Sequence, residues 1–339
     1  MGESFDIGIT MASVCYISPI MRILKGYGAD CTEAQIFGLT SSWNFEYSYI
    51  HKNKQVSAFR DQSDSISVVG VKPLDYSVIG HQYGFRPIKH DSTSKQCDLQ
   101  NICSLLLRKC AVIVHCDAFY LGYHPLYTKR HHLTNLLLQD CEHHSISFVD
   151  NYFPTHPVST YNGTLTLSQL SEAIVLGENP FLSETLGYIT VDVDDQFSPR
   201  TPQDALYQNA REMFENHNPY CGLLGIKQLA TEMLSWPDLW RGDLQRVLVS
   251  VYEHIVGSAG LVISRRLMNE FLANECKFIE LSKQQDFLNI SRMWNSVAVK
   301  LFRCSVNFNE RIYTQASGLI NSIAVLESEF AHQIIEICG

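Results

Sequence analysis

The sequence predicts an α+β protein whose first part mixes strands with helices and whose second part is mostly helical. Three short β-rich runs, at 111–116, 132–138 and 145–150, predict antiparallel strands in the first part. Apolar stripes at helical spacing predict the helices of the second part, at 204–214, 223–234, 243–256, 264–272, 283–302 and 312–337. We therefore expect an N-terminal domain over 1–155, a connecting segment over 156–201 and a helical domain over 202–339.

The first expected helix places a cysteine at its N-terminus. An apolar stripe covers 17–24, Pro19 is tolerated only in a first turn, and Gly26 supplies the stop, so the helix begins near Tyr16. Cys15 comes immediately before it. A helix N-terminus lowers the pKa of a thiol and so favours the thiolate, which is the nucleophilic form. A cysteine at a helix start is also often structural, so position alone leaves both interpretations open.

A predicted hairpin carries groups that could activate this thiol. His131 and His132 open its first strand, 140–144 form the turn, and Asp150 ends its second strand. In a cysteine-dependent acyl-transfer site an imidazole takes the thiol proton, and a carboxylate on its other nitrogen fixes the tautomer. The order cysteine, histidine, aspartate permits a triad of Cys15, His132 and Asp150, because the strands of a hairpin are neighbours. Either histidine could instead be a solvated loop residue, and Asp150 could begin a turn.

Composition excludes several other function classes. The chain has 339 residues, 45% hydrophobic and 18% charged, and its formal net charge of -9 would repel a nucleic acid backbone. The N-terminus has neither the basic start nor the apolar stretch of a signal peptide, and no apolar run reaches the ~18 residues of a membrane helix. Eleven cysteines occur without a CxxC pair, which argues against a disulfide framework or a structural zinc site. We expect a cytoplasmic protein with no metal, nucleic acid or membrane partner.

Several segments resemble the butirosin-biosynthesis acyltransferase family. Residues 12–47, ASVCYISPIMRILKGYGADCTEAQIFGLTSSWNFEY, are similar to its N-terminal signature of Cys, apolar helix, Gly, acidic-start helix and Phe-Gly-Leu. AVIVHCDAFYLGYHPLY, followed by a His strand and then by FVDNYFP, is similar to its central pattern. DALYQNAREMF, GLLGIKQLATEM and GLVISRRLMNEFL resemble the helical domain that usually accompanies it. The resemblance covers most of the chain.

The resemblance implies a papain-like cysteine fold for the N-terminal domain and a function in natural-product (antibiotic) biosynthesis. Members move an acyl group from a carrier-protein thioester to an amine. Carried over position by position, the nucleophile is Cys15, the base is His132, preferred to His131, and the orienting carboxylate is Asp150. Further expected substrate-binding residues are Trp43, Asp117, Tyr120 and Tyr123. Trp43 stands where the family usually has a glycine-rich stretch, so the acyl pocket would differ.

The expected activity is therefore amide synthesis through an acyl-cysteine intermediate. The enzyme would hold no cofactor of its own, because the donor would carry phosphopantetheine on a partner carrier protein, and the acceptor would be a small amine. A cysteine peptidase or thioesterase, with water as acceptor, is the first alternative, and a non-catalytic binding protein is the second. An acidic carrier would need a local basic patch, for which Lys129, Arg130, Arg265 and Arg266 are the candidates.

Overall fold

The computed structural model shows an α+β protein that divides into two compact units, each built from two stretches of chain. The sheet unit comprises Met1–Glu33 and Asp75–Pro199, and the helical unit comprises Ala34–Leu74 and Arg200–Gly339. The structure describes residues 14, 17–40, 43–51, 54–55, 65–69, 76–92, 94–129, 131–143, 145–153, 159–178, 185–193, 198–257 and 260–339.

Regular elements run through both units. The helices are α1 (Ile17–Gly26), α2 (Glu33–Leu39), α3 (Tyr76–Tyr83), α4 (Lys95–Leu107), α5 (Leu167–Ala173), α6 (Pro202–Phe214), α7 (Gly222–Glu232), α8 (Trp236–Leu239), α9 (Leu244–Val256), α10 (Leu261–Glu275), α11 (Leu281–Val306) and α12 (Glu310–Cys338). The strands are β1 (Glu46–His51), β2 (Lys54–Gln55), β3 (Ser65–Val69), β4 (Phe85–His90), β5 (Val112–Asp117), β6 (Leu133–Glu142), β7 (Ser145–Phe153), β8 (Ser159–Thr166), β9 (Gly177–Glu178), β10 (Thr185–Leu186) and β11 (Tyr188–Val193).

An antiparallel sheet of six strands, in the order β4-β11-β5-β6-β7-β8, organises the sheet unit. Alternate residues of β5 and β6, such as Val114 and Leu136, point to one face, where Ile102 of α4 and Leu170 of α5 complete a buried core. Helix α1 packs against β6 and β7. Its residues 17–24 are all buried, which accounts for the apolar run at these positions of the sequence.

The predicted strands and the first helix are confirmed, with one shift at the hairpin. Strand β6 continues to Glu142 instead of ending before 140. After a bulge between Leu138 and Asp140, residues 140–142 pair with residues 145–147 of β7, so the expected turn is shorter. His143, with a φ of 48°, then occupies the left-handed conformation of the tighter connection. The range expected to connect two domains, 156–201, supplies β8, α5, β9, β10 and β11 to the sheet unit.

The helical unit confirms the six helices that the sequence predicts after residue 200 and adds a three-stranded sheet, β2-β1-β3, from its first stretch of chain. Helices α11 and α12 pack on each other, and α9 packs on both α11 and β3. Among the described residues one stretch, Leu244–Glu275, has the length and composition of a membrane span, and 44% of its apolar window is buried. It consists of α9 and α10, and core helices of soluble proteins share these properties, so it does not locate the protein.

Candidate active site

The predicted nucleophile, Cys15, lies outside the described residues, but the residues on either side of it are placed. Val14 is fully buried, and its N–H donates to Glu33 Oε1 at 2.6 Å. The Val14 carbonyl accepts the N–H of Ser18 at 3.2 Å, which is the spacing of a helical turn. Helix α1 begins at Ile17, two residues after Cys15. The prediction that a helix begins directly after Cys15 is therefore confirmed by the described residues that follow it.

The carboxylate of Asp117 ties the two candidate histidines to the end of β5. Its Oδ2 lies 2.7 Å from His131 Nδ1, and its Oδ1 accepts the backbone N–H groups of Phe119 at 3.0 Å and His132 at 3.1 Å. The N–H of Ala118 donates to the His132 carbonyl at 2.8 Å. Asp117 is buried, whereas the His131 side chain is 52% exposed. The result is an aspartate–histidine pair that opens toward solvent.

His131 also belongs to an aromatic cluster. Its ring stacks on Phe119, with centroids 4.2 Å apart and planes inclined by 19°, and Tyr120 meets Phe119 edge-on at 5.1 Å. Tyr120 is 38% exposed, so it presents an aromatic surface beside the Asp117–His131 pair. The His131 ring is thus held by the Asp117 carboxylate and by stacking on Phe119, which together restrict the imidazole to a narrow set of orientations.

The other predicted carboxylate, Asp150, is fully buried in β7 beneath Tyr123. The Tyr123 hydroxyl donates to Asp150 Oδ2 at 2.9 Å, and the Tyr123 ring stacks on Tyr161 at 4.3 Å with planes only 4° apart. Burial, and then the charge of Asp150, raise the pKa of Tyr123, so the phenol keeps its proton and acts as a donor. Burial raises the pKa of Cys116 as well, which makes this thiol inert.

A third histidine, which sequence reasoning did not single out, lies in the same region. His124 is 4% exposed, and its Nδ1 accepts the Leu126 N–H at 3.2 Å, so the proton of the neutral ring is on Nε2. Burial, followed by the charge of His132, lowers the pKa of His124 to about 4. His124 is therefore a neutral donor at physiological pH. The signal in the sequence was a histidine within the aromatic run 119–127, directly before Pro125.

The strand register assigns the two carboxylates to opposite faces of the sheet. Asp117 pairs with Leu133 across β5 and β6, whereas Asp150 pairs with Leu136 across β6 and β7. Directly opposed residues share a face and successive residues alternate, so Asp150 lies on the face of Leu136 and Asp117 on the other. The same alternation, continued backwards from Leu133, assigns His132 to the face of Asp150 and His131 to the face of Asp117.

The predicted substrate-binding residues divide between the two units. Asp117, Tyr120 and Tyr123 lie in the sheet unit, near the histidines. Trp43 lies in the helical unit and is fully buried there. Its backbone N–H donates to Asn209 Oδ1 at 2.8 Å, and its indole N–H donates to Glu327 Oε2 at 3.3 Å. These contacts give Trp43 a place in the helical core, and its role toward an acyl group stays a prediction.

One candidate for carrier docking is wrong. Arg265 has no exposed surface and forms an ion pair with Glu327 at 2.8 Å, so it cannot meet a partner protein. Arg266 is half-exposed and pairs weakly with Glu270 at 3.6 Å. Lys129 is exposed, and its Nζ donates to the Pro125 carbonyl at 3.0 Å, whereas Arg130 lies outside the described residues. The sequence could not separate Arg265 from Arg266, because only packing decides which of two adjacent arginines faces the core.

Comparison with known proteins identifies a shared region. A family model described as a domain of unknown function (DUF4872) matches residues 170–334. The match starts within α5 of the sheet unit and runs to the last turns of α12 in the helical unit. No curated protein matches the chain. Since the family description carries no activity, the chemistry of the site has to indicate the function.

Proposed function

We propose that the protein is a cysteine-dependent acyltransferase with a papain-like arrangement, in which Cys15 is the nucleophile, His132 the base and Asp150 the orienting carboxylate. One observation carries the proposal. Helix α1, which begins two residues after Cys15, packs against the strands that follow His132 and hold Asp150. A helix N-terminus beside the start of a hairpin is the placement that a cysteine–histidine–aspartate site requires.

The proposed reaction has two steps. His132 takes the proton of Cys15, whose sulfur attacks the carbonyl of an acyl thioester; the old carbon–sulfur bond breaks and the leaving thiol receives the proton. An amine then attacks the acyl-cysteine. Its nitrogen forms the amide bond, His132 takes the amine proton, and Cys15 recovers it as the carbon–sulfur bond breaks. The donor thioester would be carried by phosphopantetheine on a partner carrier protein, as in the family that the sequence resembles.

The choice of His132 rests on how the neighbouring carboxylates are used. Asp117 already holds the His131 ring at 2.7 Å, and it fixes the His132 backbone rather than its ring. Strand alternation assigns His132 to the same face as Asp150. A carboxylate buried as completely as Asp150 is kept oriented by the Tyr123 hydroxyl, which suits a group that must orient an imidazole.

Intact-mass spectrometry with small acyl thioesters of N-acetylcysteamine tests the proposal. The wild type should gain the mass of one acyl group, mapped to Cys15, and Cys15→Ala should gain none. Cys97→Ala is the matched control, because Cys97 is exposed and belongs to α4, so this variant should acylate like the wild type. An adduct that persists in Cys15→Ala, or an unmodified wild type across a range of acyl groups, would refute a Cys15 nucleophile.

The same assay separates the histidines and the acceptors. His132→Gln should slow acylation by about 10²–10⁴-fold, as expected for loss of a general base, and His131→Gln should have a smaller effect. The reverse order would transfer the role of base to His131 with Asp117. Adding a primary amine to the acyl-enzyme should release an amide faster than water releases the acid. Release by water alone would indicate a thioesterase or peptidase at the same site.

A further inference from the structure

The exposed face of α11 combines apolar side chains with arginines. Val299, Phe302 and Val306 are 40%, 45% and 72% exposed, although the other side of the helix is buried in the helical unit. Arg292 and Arg303 are exposed on the same helix. With about 3.6 residues per turn, these five positions fall within ~100° of the helix circumference, so they share one face. We call these five residues the α11 face, and an exposed apolar patch of this kind marks an interaction site.

The α11 face is basic although the protein is acidic. The formal net charge of the chain is -9, yet residues 287–309 contain three basic residues and no aspartate or glutamate. Arg292 Nη1 donates to the Asn289 side-chain oxygen at 3.4 Å, and within the part of the chain that the structure describes neither Arg292 nor Arg303 forms an ion pair. Both guanidinium groups are therefore available to the carboxylates of a partner.

The apolar part of the face is firmly supported. The Phe302 ring packs on Tyr252 of α9, with ring centroids 5.0 Å apart, and the neighbouring Leu301 is buried in the core. Helix α11 as a whole packs on α9, α10 and α12. A partner would therefore meet a preformed surface and would not have to order it, which lowers the cost of binding.

Charge decides which kind of partner fits. In a symmetric dimer through this face, the arginines of both copies would approach each other with no carboxylate on the face to receive them. Helices that lie on membranes separate their basic residues from their apolar ones, whereas Arg292 and Arg303 share a face with the apolar residues. A nucleic acid backbone would be repelled by the net charge of the chain. An acidic protein surface suits both the arginines and the apolar side chains.

We propose that the α11 face binds an acidic amphipathic helix of a partner protein. Carboxylates of that helix pair with Arg292 and Arg303, and its apolar side chains cover Val299, Phe302 and Val306. The two arginines are eleven residues apart in the sequence, which is ~16 Å along the helix axis. The partner helix therefore carries carboxylates at that spacing, with apolar residues between them. This interaction does not depend on the proposed function.

A fluorescent, hydrocarbon-stapled helical peptide tests the proposal by fluorescence anisotropy. The peptide carries two glutamates at the spacing of the arginines and leucines between them on the same face, and a matched peptide carries lysines in place of the glutamates. The wild type should bind the glutamate peptide at least about tenfold more tightly than the lysine peptide, and this preference should shrink at high salt. Failure to bind the glutamate peptide, or equal binding of both peptides, would overturn the proposal.

Substitutions on the face sharpen the test. Arg292→Glu combined with Arg303→Glu should reverse the preference, and tight binding of the lysine peptide would also show that this variant is folded. Arg292→Gln combined with Arg303→Gln should bind both peptides about equally. Arg86→Glu, the same change of charge at an exposed arginine of β4, and Cys15→Ala should both bind like the wild type. If the reversed variant keeps the wild-type preference, the peptide binds elsewhere and the proposal is wrong.

Two measurements on the protein alone identify other occupants of the face. Sedimentation velocity would assign it to a second copy if the wild type is a dimer that Phe302→Ser dissociates. Flotation with phosphatidylcholine vesicles containing phosphatidylserine would assign it to a membrane if the wild type binds and the doubly charge-reversed variant does not. We expect neither result, and either one would overturn the proposal.

Discussion

The two units bury charge in different ways. In the helical unit Glu327 has no exposed surface, and each of its oxygens accepts one bond from Arg265 at 2.8 Å and one indole N–H, from Trp294 or from Trp43. In the sheet unit the buried Asp117 is paired with His131, half of whose side chain faces solvent. One carboxylate is enclosed within the core, and the other is connected to the surface.

This difference separates structural charge from chemical charge. A buried ion pair whose hydrogen-bonding capacity is fully used has nothing left for a ligand, and its value lies in fixing one packing arrangement. A buried carboxylate that holds an exposed imidazole can orient a group that takes up and releases protons. We therefore look for chemistry in the sheet unit, although the helical unit contains the stronger electrostatic network.

The largest expected effect is the loss of the enclosed ion pair. Arg265→Met leaves Glu327 charged and without its main partner in the core, which should destabilise the protein by about 3–5 kcal/mol in urea unfolding. Glu327→Met added to Arg265→Met should recover much of this loss. Arg266→Met is the matched control; it removes an exposed pair at 3.6 Å and should cost less than about 1 kcal/mol. Equal effects at the two arginines would abolish the distinction between the units.

Local sequence patterns predicted the elements well because the relevant forces are local. The apolar stripes of α6, α7 and α9–α12 and the β-branched run of β5 each specify one element, from the 6 residues of β5 to the 29 of α12. The position of α1 followed in the same way from its apolar stripe and the glycines at its end. Helix α1 and the β6–β7 hairpin could therefore be placed, and with them the outline of the candidate site.

The pairings inside the site were not predictable, because they depend on contacts between segments that are distant in sequence. Asp117 meets His131 only through the register of β5 on β6, and a shift of one residue would turn it to the other face. The buried position of Trp43 in the helical unit was not predictable either, because no periodicity reveals that its stretch of chain belongs with the helices after residue 200. The polar residues Asp140 and Glu142 suggested a turn, but they continue β6 and pair with Ser147 and Ser145, and such pairing is not visible in the local sequence.

The next largest effect concerns Asp150, the fully buried carboxylate of the sheet unit. Tyr123→Phe removes the hydroxyl that donates to the buried Asp150, which should destabilise the protein by about 1–3 kcal/mol. Tyr127→Phe is the control, because Tyr127 is 45% exposed and should shift stability by less than about 0.5 kcal/mol. If Tyr123→Phe were neutral, Asp150 would not depend on this donor, and the sheet unit would resemble the helical unit in having redundant partners.

The pH dependence of stability examines the buried imidazole. The pKa of His124 falls from 6.5 to about 4 on folding, so between these values the unfolded chain binds a proton that the folded chain does not. The contribution of neutral His124 to the free energy of unfolding is complete above pH 6.5. It declines as the pH falls, by about 2 kcal/mol from pH 7 to pH 5. His124→Gln should remove this decline, about 2 kcal/mol between pH 7 and pH 5, from the pH dependence of the unfolding free energy. An unchanged slope would mean that His124 is not kept neutral by folding.

The smallest expected effect compares exposed polar contacts, where the two units should behave alike. Each unit has a helix opened by a capping box, Thr166 with Gln169 before α5 and Thr201 with Asp204 before α6. Thr166→Ala and Thr201→Ala should each cost about 1 kcal/mol. The second should cost a few tenths more, because its partner is a carboxylate at the positive end of a helix.

Urea unfolding gives the size of each loss, and hydrogen exchange measured by mass spectrometry shows which helix is loosened. Thr166→Ala should increase exchange in α5 and Thr201→Ala in α6, since each removes an acceptor for the N–H three residues along, at 3.2 and 3.1 Å. If the two variants lose similar amounts of stability, the difference between the units lies in their buried charges alone. A gap of more than about 2 kcal/mol would mean that the units differ in overall stability, and the effects at Arg265 and Tyr123 would then have to be rescaled before they are compared.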